Sequence, residues 1–256
     1  MMRKILGLSV VAAMLCVASS AFAAPGLSLK WSFCAGEGTG LSDKTFACAS
    51  NTGSNTLVCS FELTSDLAQV SGNELVLDLL SQSATLPAWW DMKNPGTCRT
   101  GSLAVAVAAD ANNVVCVDWA AGGATGGIGA YATGTPPSMG SIDNSLAGQH
   151  RRLVIATAVP PDALQDLTAN TEYFSINVTV NNQKSVGAGS CAGCTEPICI
   201  VLNSINLTTP VLENNVFIGN ASAAGSNIVT WQGAGPNCAS VPTKNQTWGQ
   251  VKALYR

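Results

Sequence analysis

The sequence predicts an all-β protein, an antiparallel β-sandwich or jelly roll with a short C-terminal helix, and three observations predict it. Apolar residues recur at every second position through several short stretches, the spacing of half-buried strands. About ten such stretches succeed one another with no long helical period between them, which favours two packed antiparallel sheets. The composition, 47% hydrophobic and 11% charged, builds a core and is far from that of a disordered chain.

The first strand alternates Leu27, Leu29, Trp31 and Phe33 with polar neighbours. Further strands are expected at residues 57–63, around Leu75, Leu77 and Leu79, and at 103–107, 114–119 and 153–159. The series continues with Phe174, Ile176, Val178 and Val180, then 198–207, 216–218 and 228–231. The runs Leu153-Val154-Ile155 and Ile200-Val201-Leu202 are apolar on both faces, as central strands covered on two sides require. Residues 120–149, rich in Gly, Ala, Ser and Pro, are expected to form a long surface loop. The C-terminal helix is expected where Thr247 and Gln250 form a capping box and Trp248, Val251 and Tyr255 share a face.

Residues 1–23 have the form of an export signal. Arg3 and Lys4 give a basic start, an uncharged apolar run follows, and Ala21 and Ala23 supply small residues before the expected cleavage point. The apolar run is shorter than the ~20 residues that span a bilayer, so no membrane span is expected after cleavage. The remaining residues, 24–256, are expected to fold as one sandwich domain in an extracytoplasmic place: periplasm, cell surface or medium. Cleavage leaves 10 basic against 15 acidic side chains, a net charge of −5, which is no footprint for nucleic acid.

Nine of the ten cysteines survive cleavage. In an oxidising compartment they are expected to form disulfides, drawn from Cys34, Cys48, Cys98, Cys116, Cys191, Cys194, Cys199 and Cys238. Short loops favour Cys34 with Cys48, Cys98 with Cys116 and Cys199 with Cys238. Cys59 is the expected free thiol, because it alternates with Leu57 and Phe61 on one strand face. The Cys191-x-x-Cys194 pair also admits a zinc knuckle or a redox dithiol. A second C-x-x-C and a βαβ setting, which those chemistries want, are missing.

Stretches 73–78, 86–90, 191–194, 199–203 and 247–256 resemble a group of uncharacterised secreted bacterial proteins, over most of the mature chain. The resemblance implies export and a β architecture and brings no activity. The strand pattern is loosely similar to cohesin and carbohydrate-binding sandwiches, an analogy of fold that fixes no function.

For catalysis, His150 is the one histidine, and no nucleophile elbow accompanies it. Paired carboxylates could serve a glycoside hydrolase, with Glu62, Glu74, Asp78, Asp91, Asp118 and Glu172 on or near strands. For binding, Trp89 and Trp90 are adjacent. In an extended segment one ring would enter the core and the other would meet solvent as a sugar platform. Asp91 stands beside them for hydroxyl hydrogen bonds, and Tyr131 is a second platform. No cofactor is expected, with structural calcium at residues 110–113 or 37–43 as the one candidate ion. The function read from the sequence is a secreted, non-catalytic binding or structural module for a polysaccharide or a cell-surface protein. The alternatives are the paired-carboxylate hydrolase and a self-assembling surface or matrix subunit.

Overall fold

The computed structural model describes residues 25–37, 40–81, 83–111, 113, 115–132, 150–222 and 227–232. The expected export signal, Cys238 and the expected C-terminal helix lie outside these residues. The described chain is all-β. Its helical content is confined to 3₁₀ turns at Ala35–Glu37, Ala88–Trp90 and Leu212–Asn214.

Two sheets carry the fold. The first orders β1 (Leu27–Trp31), β3 (Ser54–Phe61), β11 (Tyr173–Asn181) and β6 (Leu103–Ala106), with β7 (Val117–Asp118) also on β11. The second orders β2 (Asp43–Lys44), β14 (Ile228–Trp231), β12 (Ile198–Thr208), β5 (Gly72–Ser81), β9 (His150–Ala158) and β8 (Thr125–Ala132), with β13 (Val216–Ile218) on β12. A separate ladder joins β4 (Leu67–Val70) to β10 (Gln165–Leu167). The long pairings are antiparallel as expected, but the two-residue edges β7 and β2 pair in parallel.

The period-two pattern dictates which faces meet. Leu27, Leu29, Leu57, Ile176 and Val178 of the first sheet and Leu75, Leu77, Leu153, Ile200 and Leu202 of the second belong to one buried apolar cluster. Each large side chain so buried contributes about 1.5–3 kcal/mol against the entropy of ordering it. β9 and β12 are central strands, and their outward residues Val154 and Val201 are buried too. The outer face of the second sheet accordingly holds its own cluster of Leu80, Cys199 and Val201.

Two expectations need correcting. Residues 125–132 are not loop but edge strand β8, which pairs along β9. There a Cβ on Gly126 would fall 2.2 Å from the Ala156 carbonyl oxygen, so its glycine reflects close backbone approach. The strand expected at 114–119 shrinks to Val117–Asp118, because Val115 and Val117 are both about half exposed and lack a buried face to extend it.

Candidate functional site

The sugar platform is absent from the place where the sequence suggested it. Pro87 takes an extended conformation and Ala88–Trp90 then turn as a 3₁₀ helix, so Trp89 and Trp90 do not alternate across a strand. Both indoles are fully buried. Their centroids lie 5.0 Å apart and stand 5.2 and 5.5 Å from Trp231, which in turn lies 5.9 Å from Trp31.

Polar bonds hold this cluster. Trp89 Nε1 donates to Ser185 Oγ at 3.0 Å and Trp231 Nε1 to the Cys194 carbonyl at 2.7 Å. The buried Arg99 lies over the Trp89 ring at 3.5 Å. It donates to the carbonyls of Gln183, Trp89 and Asn181. Burial pulls its guanidinium down to about 10, still protonated at neutral pH.

Tyr131 is buried as well, and its hydroxyl donates to the Trp90 carbonyl. Desolvation pushes its phenol pKa upward. Asp91 is taken by Arg151, whose Nη2 and Nε donate to Oδ1 at 2.6 and 3.0 Å. Of the four residues expected to bind a ligand, Trp89, Trp90 and Tyr131 are therefore buried as packing, and Asp91 is held in its ion pair with Arg151.

Cysteine pairing corrects the short-loop expectation. Cys34 bonds Cys116, Cys48 bonds Cys194 and Cys98 bonds Cys191, closing separations of 82, 146 and 93 residues. Cys199 is also disulfide-bonded, and the pairing proposed for it with Cys238 lies outside the described residues. Cys191 and Cys194 thus bond two different partners, an arrangement unlike that of a redox dithiol or a four-sulfur metal knuckle. The turn between them is fixed by Gly193. It has φ of +98°, and a Cβ there would fall 2.0 Å from Pro87 Cβ. Cys59 is free and buried, and burial pushes its thiol pKa up. The three disulfides between described residues fit an oxidising compartment.

Four of the six acidic candidates, Asp78, Asp91, Asp118 and Glu172, are engaged in hydrogen bonds, whereas burial and the neighbouring Glu172 push the Glu62 pKa up. Asp78, on the outer face of the second sheet, is the centre of a buried polar cluster. His150 Nε2 lies 2.7 Å from its Oδ1. Arg152 grips both oxygens, Nε to Oδ1 at 2.8 Å and Nη2 to Oδ2 at 2.7 Å. Asn203 also donates to Oδ2, brought there by the register shift of β12 between Leu202 and Ser204. Bulges commonly re-aim a side chain in this way. Desolvation alone would raise the Asp78 pKa. Hydrogen bonds from Arg152 and His150 outweigh it and hold the carboxyl below its ordinary value. His150 Nδ1 is buried with no hydrogen-bond partner among the described residues.

Glu172 accepts from the Ala35 and Gly36 amides, both at 2.8 Å, and from Ser60 Oγ at 2.5 Å. Asp118 accepts from the amides of Ala109, Ala120 and Gly122. Among the described residues, no group of three or more His, Cys, Asp and Glu side chains is placed to hold a metal. No described helix is long and apolar enough to cross a membrane.

The surface feature that the sequence did not single out is the edge at β13. Its register with β12 sets Phe217 opposite Asn206 and Ile218 opposite Ile205. Ile218 turns to the core, so Phe217 must face outward and is 53% exposed. The preceding turn exposes Val211 by 47% and Leu212 by 75%. β12 is the one strand paired with β13 among the described residues. Past β13 the chain leaves this sheet, and Asn220 and Ser222 bond the backbone of Leu27 on β1. The sequence signal was faint: Val-Phe-Ile is apolar throughout and too short for alternation to say which residue faces out.

No family model and no curated protein matches the chain. Among solved structures it is similar to a cohesin module from the Clostridium perfringens ATCC13124 family 33 glycoside hydrolase. The identity is 6%, the match covers 81% of this chain and 93% of that one, and the TM-score is 0.35. A likeness at that level carries no inference about fold or function.

Proposed function

We propose that the protein is a secreted, non-catalytic β-sandwich module that works by contact with a cell-surface protein, through the edge formed by residues 211–218. The observation that carries this reading is the exposure of Val211, Leu212 and Phe217 together on one short stretch. Concentrated apolar exposure marks interaction surfaces, whereas single exposed apolar residues need no explanation. The side of β13 that no described strand pairs offers backbone donors and acceptors to which an extended partner segment can add as a further strand, with Phe217 and Leu212 as side-chain anchors. Three disulfides and the form of the first 23 residues support an extracytoplasmic place of work. The burial of Trp89, Trp90 and Tyr131 removes the handle for sugar binding and moves the weight to a protein partner.

The test is retention of the purified mature protein by cell envelopes. Envelopes treated with protease should lose it, and a Phe217→Lys variant with unchanged melting should not be retained by intact ones. Retention on a panel of purified polysaccharides, equal for wild type and Phe217→Lys, would overturn the reading.

A further inference from the structure

The outward side chain of Phe217 begins a row that continues across the second sheet. Ile218 lies opposite Ile205, which lies opposite Leu75, and all three face the core. Neighbours along a strand alternate between faces. The adjoining row, in which Asn206 stands between Phe217 and Glu74, therefore points outward. Ala156 on β9 ends it, opposite Glu74. Phe217, Glu74 and Ala156 are exposed, and Asn206 is partly so. The next outward row, Thr208, Gly72 and Ala158, is made of short residues. Gly219 makes room for the phenyl ring, because a Cβ there would fall 2.9 Å from Phe217 Cε1.

The Glu74 carboxylate has no ion-pair partner among the described residues, whose ion pairs are at Asp78 and Asp91. β5, β12 and β13 carry no Lys or Arg. The cations of β9, Arg151 and Arg152, are bound to Asp91 and Asp78. Glu213, exposed in the turn before β13, adds charge of the same sign. An aromatic ring, an amide and an unpaired acid thus stand side by side on one open face.

We propose, on the reading of the 211–218 edge as the contact surface, that this row receives an arginine side chain of the protein partner. A partner strand added to β13 puts the residue opposite Phe217 three strand spacings from Glu74, about 14 Å. Arginine, the longest cationic side chain, covers that gap by lying across the phenyl ring while the Glu74 side chain reaches out to meet it. The guanidinium is planar, so its face stacks on the ring by cation–π attraction. Its N–H donors lie in that plane and point sideways, to the Asn206 amide oxygen and the Glu74 carboxylate. A lysine ammonium brings the charge without the flat face and the fork, and binds here more weakly.

The experiment has two arms on the folded mature protein. In the first, NMR follows the amide shifts as hexa-arginine is added, with hexalysine beside it. Shifts are expected to concentrate at residues 72–76, 204–208 and 216–219, with weaker binding of hexalysine. Glu74→Gln should weaken hexa-arginine binding by about tenfold. In the second arm, cell envelopes are treated with phenylglyoxal, which caps arginine, or acetylated at lysine, and the reagent is removed before the protein is added. Retention of the wild type should fall after phenylglyoxal and survive acetylation. Shifts spread over other faces, or equal hexa-arginine affinity in the wild type and Glu74→Gln, would overturn the proposal. Retention that Phe217→Lys loses but phenylglyoxal leaves intact would overturn it as well, with the 211–218 edge still standing as the contact surface. Equal retention of the wild type and Phe217→Lys would overturn that surface and the arginine row together.

Discussion

The aromatic end of the core and the β13 edge are both rich in large apolar side chains, yet they are held in opposite ways. At the aromatic end Trp31, Trp89, Trp90 and Trp231 are fully buried. Arg99 covers one ring, and two disulfides tie the surrounding turns at Cys194 and Cys191. At the edge, Val211, Leu212 and Phe217 stand about half exposed or more. The difference teaches that adjacent tryptophans mark stability in this chain, while the exposed apolar side chains proposed to meet a partner lie in a stretch with no tryptophan at all.

Substitutions can break that contrast. The largest effect is expected from Trp231→Ala, which removes the ring that touches Trp31, Trp89 and Trp90. A loss of about 3–5 kcal/mol is expected in denaturant unfolding. Arg152→Leu comes next. It leaves the buried Asp78 charge with hydrogen bonds but no guanidinium, and about 3–5 kcal/mol should go by the same measurement. Replacing Cys98 and Cys191 together by Ala opens a crosslink over 93 residues and should cost about 2–5 kcal/mol.

Acid should act through Asp78. Its folded pKa is depressed, so its stabilisation is present above the ordinary carboxylate range of the unfolded chain. It is lost as pH falls through the lower folded value. Wild-type stability should therefore drop steeply below about pH 4, and an Asp78→Asn variant, less stable at neutral pH, should show a shallower acid slope. The smallest effect on folding is expected from Phe217→Ser, within about 0.5 kcal/mol of wild type, although this change should abolish envelope retention.

Alternation in the sequence made most of the strands legible, because a half-buried strand must place Leu27, Leu29 and Trp31, or Ile176, Val178 and Val180, on one side. The free thiol at Cys59 followed from the same pattern. The pairing of the other cysteines did not, since Cys48–Cys194 and Cys98–Cys191 join segments that only the sheet topology brings together. Nor could the sequence tell that Pro87 starts a 3₁₀ turn rather than an extended pair, and that choice decided whether Trp90 met solvent. β8 was hidden because Gly126, Gly127 and Gly129 read as loop, although Gly126 is where the edge strand presses against β9. Asn203 joins the Asp78 cluster through a bulge in β12, which no local signal announced.

The most direct test of the central claim is hydrogen exchange of the mature protein, free and bound to cell envelopes. The account predicts new protection at residues 211–218, with 87–99 equally protected in both states because that region is already closed. Protection gained at 87–99 while 211–218 stays unchanged would contradict it, and would return the binding surface to the tryptophans.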